Sequence, residues 1–256
     1  MMKKIEQKNY RAFISWAKNN TCNRVYPLSI AQNIQSGDIF SDDVINPKTV
    51  LFWHYCGFAY ITGSPSAEIL NELVSDICDR NRRRLTLITD DDFTVRFLKE
   101  KGYEFSDRIE YSYDEGFVSD LSNNDTIEIS RIDESNIHKI TGNIVPAFSW
   151  EEKRFLQNGF GYAAFIDGKF GGVAFSSAVS SSEIDIGVEV ESGYRGRGIA
   201  TTLARRMCEE IIAEGKRPVW AHAASNTGSM KTALKCGFIR KKINRFCLIK
   251  QKEGTE

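Results

Sequence analysis

The stretch Glu183-Ile-Asp-Ile-Gly-Val-Glu-Val190 is apolar at every even position, and after four more residues it gives way to Arg195-Gly-Arg-Gly-Ile-Ala200. Period-two alternation is the mark of a strand with one buried face. Beyond the loop, Ile199, Leu203, Met207 and Ile211 recur every four residues, with Ala200, Ala204 and Ile212 beside them. That spacing predicts an amphipathic helix, and Gly215 stands where a left-handed C-terminal cap is expected. A glycine-containing turn feeding a helix start aims several backbone N–H groups at one point. The helix dipole adds partial positive charge there, and Arg195 and Arg197 flank it. The combination suits a diphosphate or a similar anion.

Several loops put glycine at a helix start. A P-loop needs Gly-Lys-Ser/Thr after four spacers, which is absent. A dinucleotide fingerprint needs a third glycine, where this chain has Thr201. What stands here is Arg-x-x-Gly-x-Ala, with Val188-x-Val190 ending five residues before Arg195. A second block follows: Asn226, then Ser229, Gly237 and Phe238 at offsets of three, eleven and twelve. Together these resemble the GNAT N-acetyltransferase superfamily, with its Gln/Arg-x-x-Gly-x-Gly/Ala pyrophosphate loop and its Asn-x-x-Ala/Ser…Gly-Phe segment. The resemblance covers about residues 160 to 250. It implies an α/β (α+β) fold, a mixed and mostly antiparallel sheet with helices on both faces. It also implies a V-shaped splay between two parallel strands, in which acetyl-CoA binds as cosubstrate.

Carried over to this chain, the resemblance places the pantetheine arm along Val188 to Val190. It places the pyrophosphate on Arg195, Gly196, Arg197, Gly198, Ile199 and Ala200, and a further contact to the arm at Asn226, with Ser229 close by. Strand N–H groups can also polarise the thioester carbonyl. An alkylammonium has a pKa near ~10.4, so a base or a water chain must take its proton before it attacks. Glu183, Asp185 and Glu189 lie an even number of residues apart and share a strand face. They are the candidate bases, and the alternative is that they are acidic residues on a solvent-facing strand with no catalytic part. Many relatives carry a Tyr seven residues after the motif asparagine, which protonates the leaving thiolate. Here that position is Ala233, and a methyl group donates no proton.

Composition narrows the class. With 41% hydrophobic and 27% charged residues and a net charge of zero, the 256-residue chain reads as globular. Residues 126–256 carry 19 basic against 15 acidic residues, which suits a phosphorylated cosubstrate but is far too weak for nucleic-acid binding. No run approaches 18 apolar residues, so no membrane span is expected. The N-terminus lacks the apolar core of a signal peptide. Six scattered cysteines without a Cys-x-x-Cys pair, and three histidines, predict no metal site. The expected setting is cytoplasmic, with the thiols reduced.

Two halves follow one plan. In the first, strands within 50–61 precede a helix from Ala67 to Asp79, a strand Leu85–Thr89, a helix Phe93–Lys101 ended by Gly102-Tyr103, and a strand Ile109–Tyr113. In the second, a 163–179 hairpin, the 183–190 strand and the 199–214 helix precede a strand, a helix ended by Gly237-Phe238, and a strand Ile243–Ile249. The polar run Ser119–Asp125 sets the expected boundary. Residues 1–125 then form a degenerate GNAT-like half without a phosphate loop, expected to serve the acceptor side or structure. Residues 126–256 form the acetyltransferase half. The whole pattern resembles a two-part bacterial branch of the superfamily. The expected activity is acetyl transfer to the amino group of a small-molecule acceptor by a monomer or homodimer. The rival reading is a catalytically weak acyl-CoA-binding or sensing module.

Overall fold

The computed structural model describes residues 1–81, 83–117 and 127–249. They fall into two units, Met1–Arg108 together with the chain from Ile243 onward, and Ile109–Lys242. The expected boundary segment, Ser119–Asp125, lies outside the described residues. The units divide elsewhere than at residue 125, because strand pairing outranks sequence order. The last strand's final residues, Arg245 to Ile249, pair antiparallel with Leu85 to Thr89 of the first unit.

In the first unit the strands are β1 (Lys3–Lys4), β2 (Gly37–Ser41), β3 (Thr49–His54), β4 (Phe58–Gly63) and β5 (Leu85–Thr89). They pair in that order, with β4 and β5 parallel and the pairs from β1 to β4 antiparallel. Helices α1 (Ile14–Lys18) and α2 (Val25–Ala31) help build one core, with Phe13, Leu28, Ile39 and Phe52. Helix α3 (Ala67–Glu72) runs through a π turn into α4 (Cys78–Asn81). With α5 (Asp92–Glu100) it builds a second core around Trp53, Leu73, Leu87 and Leu98. Asp91 caps α5 by accepting from the Thr94 N–H at 2.7 Å.

In the second unit, β6 (Ser106–Tyr113) contributes residues from 109 on. It is followed by β7 (Glu128–Arg131), α6 (Pro146–Ser149), α7 (Glu152–Asn158), β8 (Gly161–Ile166), β9 (Lys169–Val179) and β10 (Glu183–Val190). Helix α8 (Ile199–Ala213), β11 (Arg217–Ala223), α9 (Thr227–Lys235) and the start of β12 (Phe238–Ile249) complete it. The strand order is β12–β6–β11–β10–β9–β8–β7. Pairs from β7 to β10 are antiparallel, and β10 with β11 is parallel. Asp167 and Gly168 turn the β8–β9 hairpin with φ of 51° and 73°, as a two-residue loop requires. Helix α8 ends as its sequence predicts. Gly215 takes φ 71°, and the N–H groups of Gly215 and Lys216 donate back to the carbonyls of Ile212 and Ile211.

Both faces of β10 are covered over its first residues. A Cβ at Gly172 would meet Val190 and Ile199, so the even face of β10 turns to α8. A Cβ at Gly187 would lie 2.6 Å from the Phe175 ring, which joins Phe155 and Trp150 in an edge-to-face stack under α6 and α7. The single buried face expected for β10 is therefore wrong over Glu183 to Gly187, which is buried on both sides. At Gly187 the cover is the Phe175 ring of β9, which packs in turn on Phe155 of α7.

Candidate active site

Strands β10 and β11 pair at Glu183–Arg217, Ile184–Pro218 and Asp185–Val219, and beyond these positions no pairing continues. This is the splay. On the other side β10 stays paired with β9 as far as Val190. The Glu191 N–H donates to Gly171 O at 3.0 Å, so the N–H and C=O of Glu189 also turn to β9, since strand backbone groups alternate sides. Those of Val188 and Val190 turn to the gap. The Val190 carbonyl accepts there from Arg195 Nε at 3.2 Å. Val188 thus offers both a donor and an acceptor to an extended amide chain lying in the gap.

The loop that follows ends at the start of α8. Gly196 and Gly198 take φ of 78° and 84°, in the left-handed region, and no atom lies within 4 Å of a Cβ built on either. Gly198 is the N-cap and supplies no side chain to satisfy the helix start. The first helical bond runs from Thr202 N–H to Gly198 O at 3.0 Å. The N–H groups of Ile199, Ala200 and Thr201 precede it and have no partner within the helix. The Arg197 guanidinium lies 5.3 Å from the Tyr194 ring centroid. The residues fit a pyrophosphate: unspent N–H donors at a positive helix end, two exposed arginines, and open space where side chains would stand.

Asn226 is the N-cap of α9, its Oδ1 accepting from the Ser229 N–H at 3.0 Å. The Ser229 hydroxyl accepts from Trp220 Nε1 at 3.0 Å. Ala233 is fully buried.

The three carboxylates are not brought together. Glu183 pairs with Arg217 at 2.5 Å, at the closed end of the splay. Glu189 accepts from the N–H groups of Asn143 and Ile144. Asp185, 3% exposed, stands at the last paired position, where the strands part. None lies on a solvent-facing edge of the kind the sequence suggested. Sequence reasoning also missed a buried pair. The Tyr111 hydroxyl and His222 Nε2 are 2.9 Å apart, and His222 Nδ1 lies 2.8 Å from Ala223 O. Burial raises the Tyr111 phenol. No local pattern links two residues 111 positions apart.

Among the described residues no group of His, Cys, Asp and Glu is placed to hold a metal ion, and no helix is long and apolar enough to cross a membrane. All six cysteines are buried, and none forms a disulfide. Burial pushes the Cys236 and Cys247 thiols up to about 12.

The second unit thus joins a strand splay to an uncapped, glycine-bounded helix start. The family model described as GNAT acetyltransferase matches residues 18–245, and the chain belongs to that family, whose chemistry is acetyl transfer from acetyl-CoA. The chain is 21% identical over 248 residues to the uncharacterized N-acetyltransferase YdfB of Bacillus subtilis (strain 168), covering 93% of this chain and 95% of that protein. Its fold is similar to that of a GCN5-related N-acetyltransferase-like protein from Streptococcus suis 89/1591, with a TM-score of 0.74 at 20% identity, over 94% of this chain and 99% of that one. It is also similar to a tandem GNAT protein from the clavulanic acid biosynthesis pathway, with a TM-score of 0.63 at 10% identity, over 97% of each chain. The tandem likeness agrees with the common plan of the two units. Each runs through antiparallel strands, a helix, a strand parallel to the one before the helix, and a second helix.

Proposed function

We propose that the protein transfers an acetyl group from acetyl-CoA to the amino group of a small molecule by direct attack in a ternary complex. The observation that carries this is the continuity from the gap-facing backbone of Val188 and Val190 to the open amides of Ile199–Thr201. Arg195, Arg197 and that helix start would hold the pyrophosphate, and Val188 and Val190 would pair with the pantetheine amides. The thioester supplies an activated acyl group when acetyl-CoA is bound. Gap-facing N–H groups of β10 then stabilise the oxyanion that forms on attack.

Asp185 is the carboxylate we assign as base. It is buried at the fork, the last position at which β10 and β11 pair. Its task is to take the proton from the attacking ammonium, directly or through water.

The rival reading, an acyl-CoA-binding module with weak catalysis, draws support from Ala233. The site lacks the acid that many relatives place there, and the residue is buried in packing. One experiment separates the two. Acetyl-CoA is incubated with spermidine, tyramine and kanamycin, and free thiol is read. Transfer to any amine above the hydrolysis background supports the enzyme. Cosubstrate binding without transfer, across this panel and a wider set of primary amines, favours the binding module.

A further inference from the structure

Glu189 sits in the middle of the strand segment that faces the proposed pantetheine arm, yet its side chain reaches away from it. The carboxylate accepts from the N–H of Asn143 at 2.8 Å and from the N–H of Ile144, some 45 residues earlier in the chain. Two amides converging on one carboxylate oxygen make a charge-assisted anchor. Gly142 belongs to the same device. Its φ is +138°, and a Cβ there would come within 3.0 Å of the Glu189 carboxyl carbon and Oε2. Only glycine lets the loop approach so closely without strain.

The anchored loop leads directly into α6 and α7. Their far end is fixed to the sheet by other means. Trp150 Nε1 donates to Ser176 O at 2.7 Å, and Trp150 and Phe155 stack toward Phe175 over Gly187. The near end, at 142–144, is tied to the sheet through Glu189. The segment that bears α6 and α7 is therefore tied to β9 at one end and, at the other, to β10, the strand that bears the gap-facing amides.

We propose that Glu189 is a positioning residue for the acceptor, because the loop it anchors meets the odd face of β10, the face that also carries Asp185. Its carboxylate, received by the Asn143 and Ile144 amides opposite Gly142, fixes the α6–α7 segment against the cosubstrate strand. This rests on the acetyltransferase reading above. It replaces the role of Glu189 as a base, because an oxygen already accepting two N–H bonds is poorly placed to collect a proton from substrate. The anchor sets where the amine is held, not how its proton leaves.

Three variants separate the roles. Glu189→Ala removes the anchor, Glu189→Gln keeps an uncharged acceptor oxygen at the same reach, and Gly142→Ala pushes the loop off it. Hydrogen exchange at the Asn143 and Ile144 amides should be slow in wild type and at least about tenfold faster in Glu189→Ala and Gly142→Ala. Acetyl-CoA titration by calorimetry should give dissociation constants within about threefold of wild type for all three. With whichever of spermidine, tyramine and kanamycin wild type acetylates fastest, Glu189→Ala and Gly142→Ala should raise KM for the amine. The shape of the pH–rate profile should be unchanged, and Gln should recover most of the loss. Equal collapse of kcat in Glu189→Gln and Glu189→Ala, with loss of the acidic limb, would make Glu189 the base and overturn the proposal. So would fast exchange of the two amides in wild type, a readout that needs no variant to fold. If wild type acetylates no amine, the enzyme reading fails, while exchange and acetyl-CoA binding still report on the anchor.

Discussion

Gly198 carries the cosubstrate reading most directly, and its substitution separates strain from ligand contact. Its φ of 84° is left-handed, and a Cβ there meets nothing within 4 Å. In the free protein Gly198→Ala therefore costs only backbone strain, about 1 kcal/mol. Gly198→Val adds β-branching and costs about 2 kcal/mol. For a unit of this size, that lowers Tm by about 2–4 °C per kcal/mol. Acetyl-CoA at a hundredfold excess over its dissociation constant should stabilise wild type by about 2.7 kcal/mol, a rise of roughly 5–10 °C. The space beside Gly198 is where the pyrophosphate is placed. Valine should remove that ligand-induced rise and alanine should reduce it. Gly168→Ala is the control. Its φ of 73° is similar and its Cβ also meets nothing within 4 Å, but it lies in the β8–β9 turn. It should show the same loss of basal Tm with a full ligand-induced rise. The assay is a thermal-shift titration of the four proteins with acetyl-CoA. A full rise in Gly198→Val would refute the placement of the pyrophosphate, and no rise in wild type at millimolar acetyl-CoA would refute the cosubstrate reading itself.

Arg195→Ala should weaken acetyl-CoA binding by about 10–100-fold, from loss of one charge-assisted contact, and calorimetry with an unchanged dissociation constant would exclude Arg195 from the site. Asp185→Asn should lower kcat by about 10²–10⁴-fold while acetyl-CoA affinity holds; a fall of less than threefold in initial-rate assays would leave water as the base. His54 is buried with no partner at Nε2, and burial lowers its pKa from 6.5 to about 3. The unfolded chain then takes the proton first, so the folded state holds its full stability above pH 6.5 and loses it as pH falls toward 3. By pH 4.5 the loss is about 2.5–3 kcal/mol. Denaturant melts at pH 7 and pH 4.5 should show this loss shrink in His54→Phe, and an equal loss in both proteins would exclude His54 as its source.

The parts of the site that lie close together in sequence were legible from it. The turn from Arg195 to Ala200 and the glycine stop at Gly215 each depend on backbone geometry within a few residues. The face exposed by β10 was not legible. Alternation tells which side chains share a side, but not what covers that side. Part of that cover is Phe175 of β9, held under Phe155 and Trp150, and the helices α6 and α7 beside them, of four and seven residues, are too short to show a helical period. The partners of Glu189 and His222 come from remote segments, so the residue types announced carboxylates and a histidine without announcing their engagements. The return of the chain to the first unit from Ile243 on was hidden for the same reason, since pairing with Leu85–Thr89 is set by the folded sheet and not by neighbours in the chain.

The two units differ in how their corresponding helix starts are capped. Both place a helix directly after the first strand of a parallel pair. In the first unit Ser66 is the N-cap of α3, and its hydroxyl accepts from the Ile69 N–H at 3.4 Å. One of the donors of that helix start is therefore spent inside the chain. In the second unit the cap is Gly198, with no side chain to spend, and Gly196 holds the loop in the left-handed conformation beside two arginines. A helix end with its N–H groups unsatisfied costs free energy until something negative satisfies them. That asymmetry is the physical reason for placing one acetyl-CoA site in a chain that repeats its fold twice. Restoring a side-chain cap, as in Gly198→Ser, should therefore lower acetyl-CoA affinity even though serine is small.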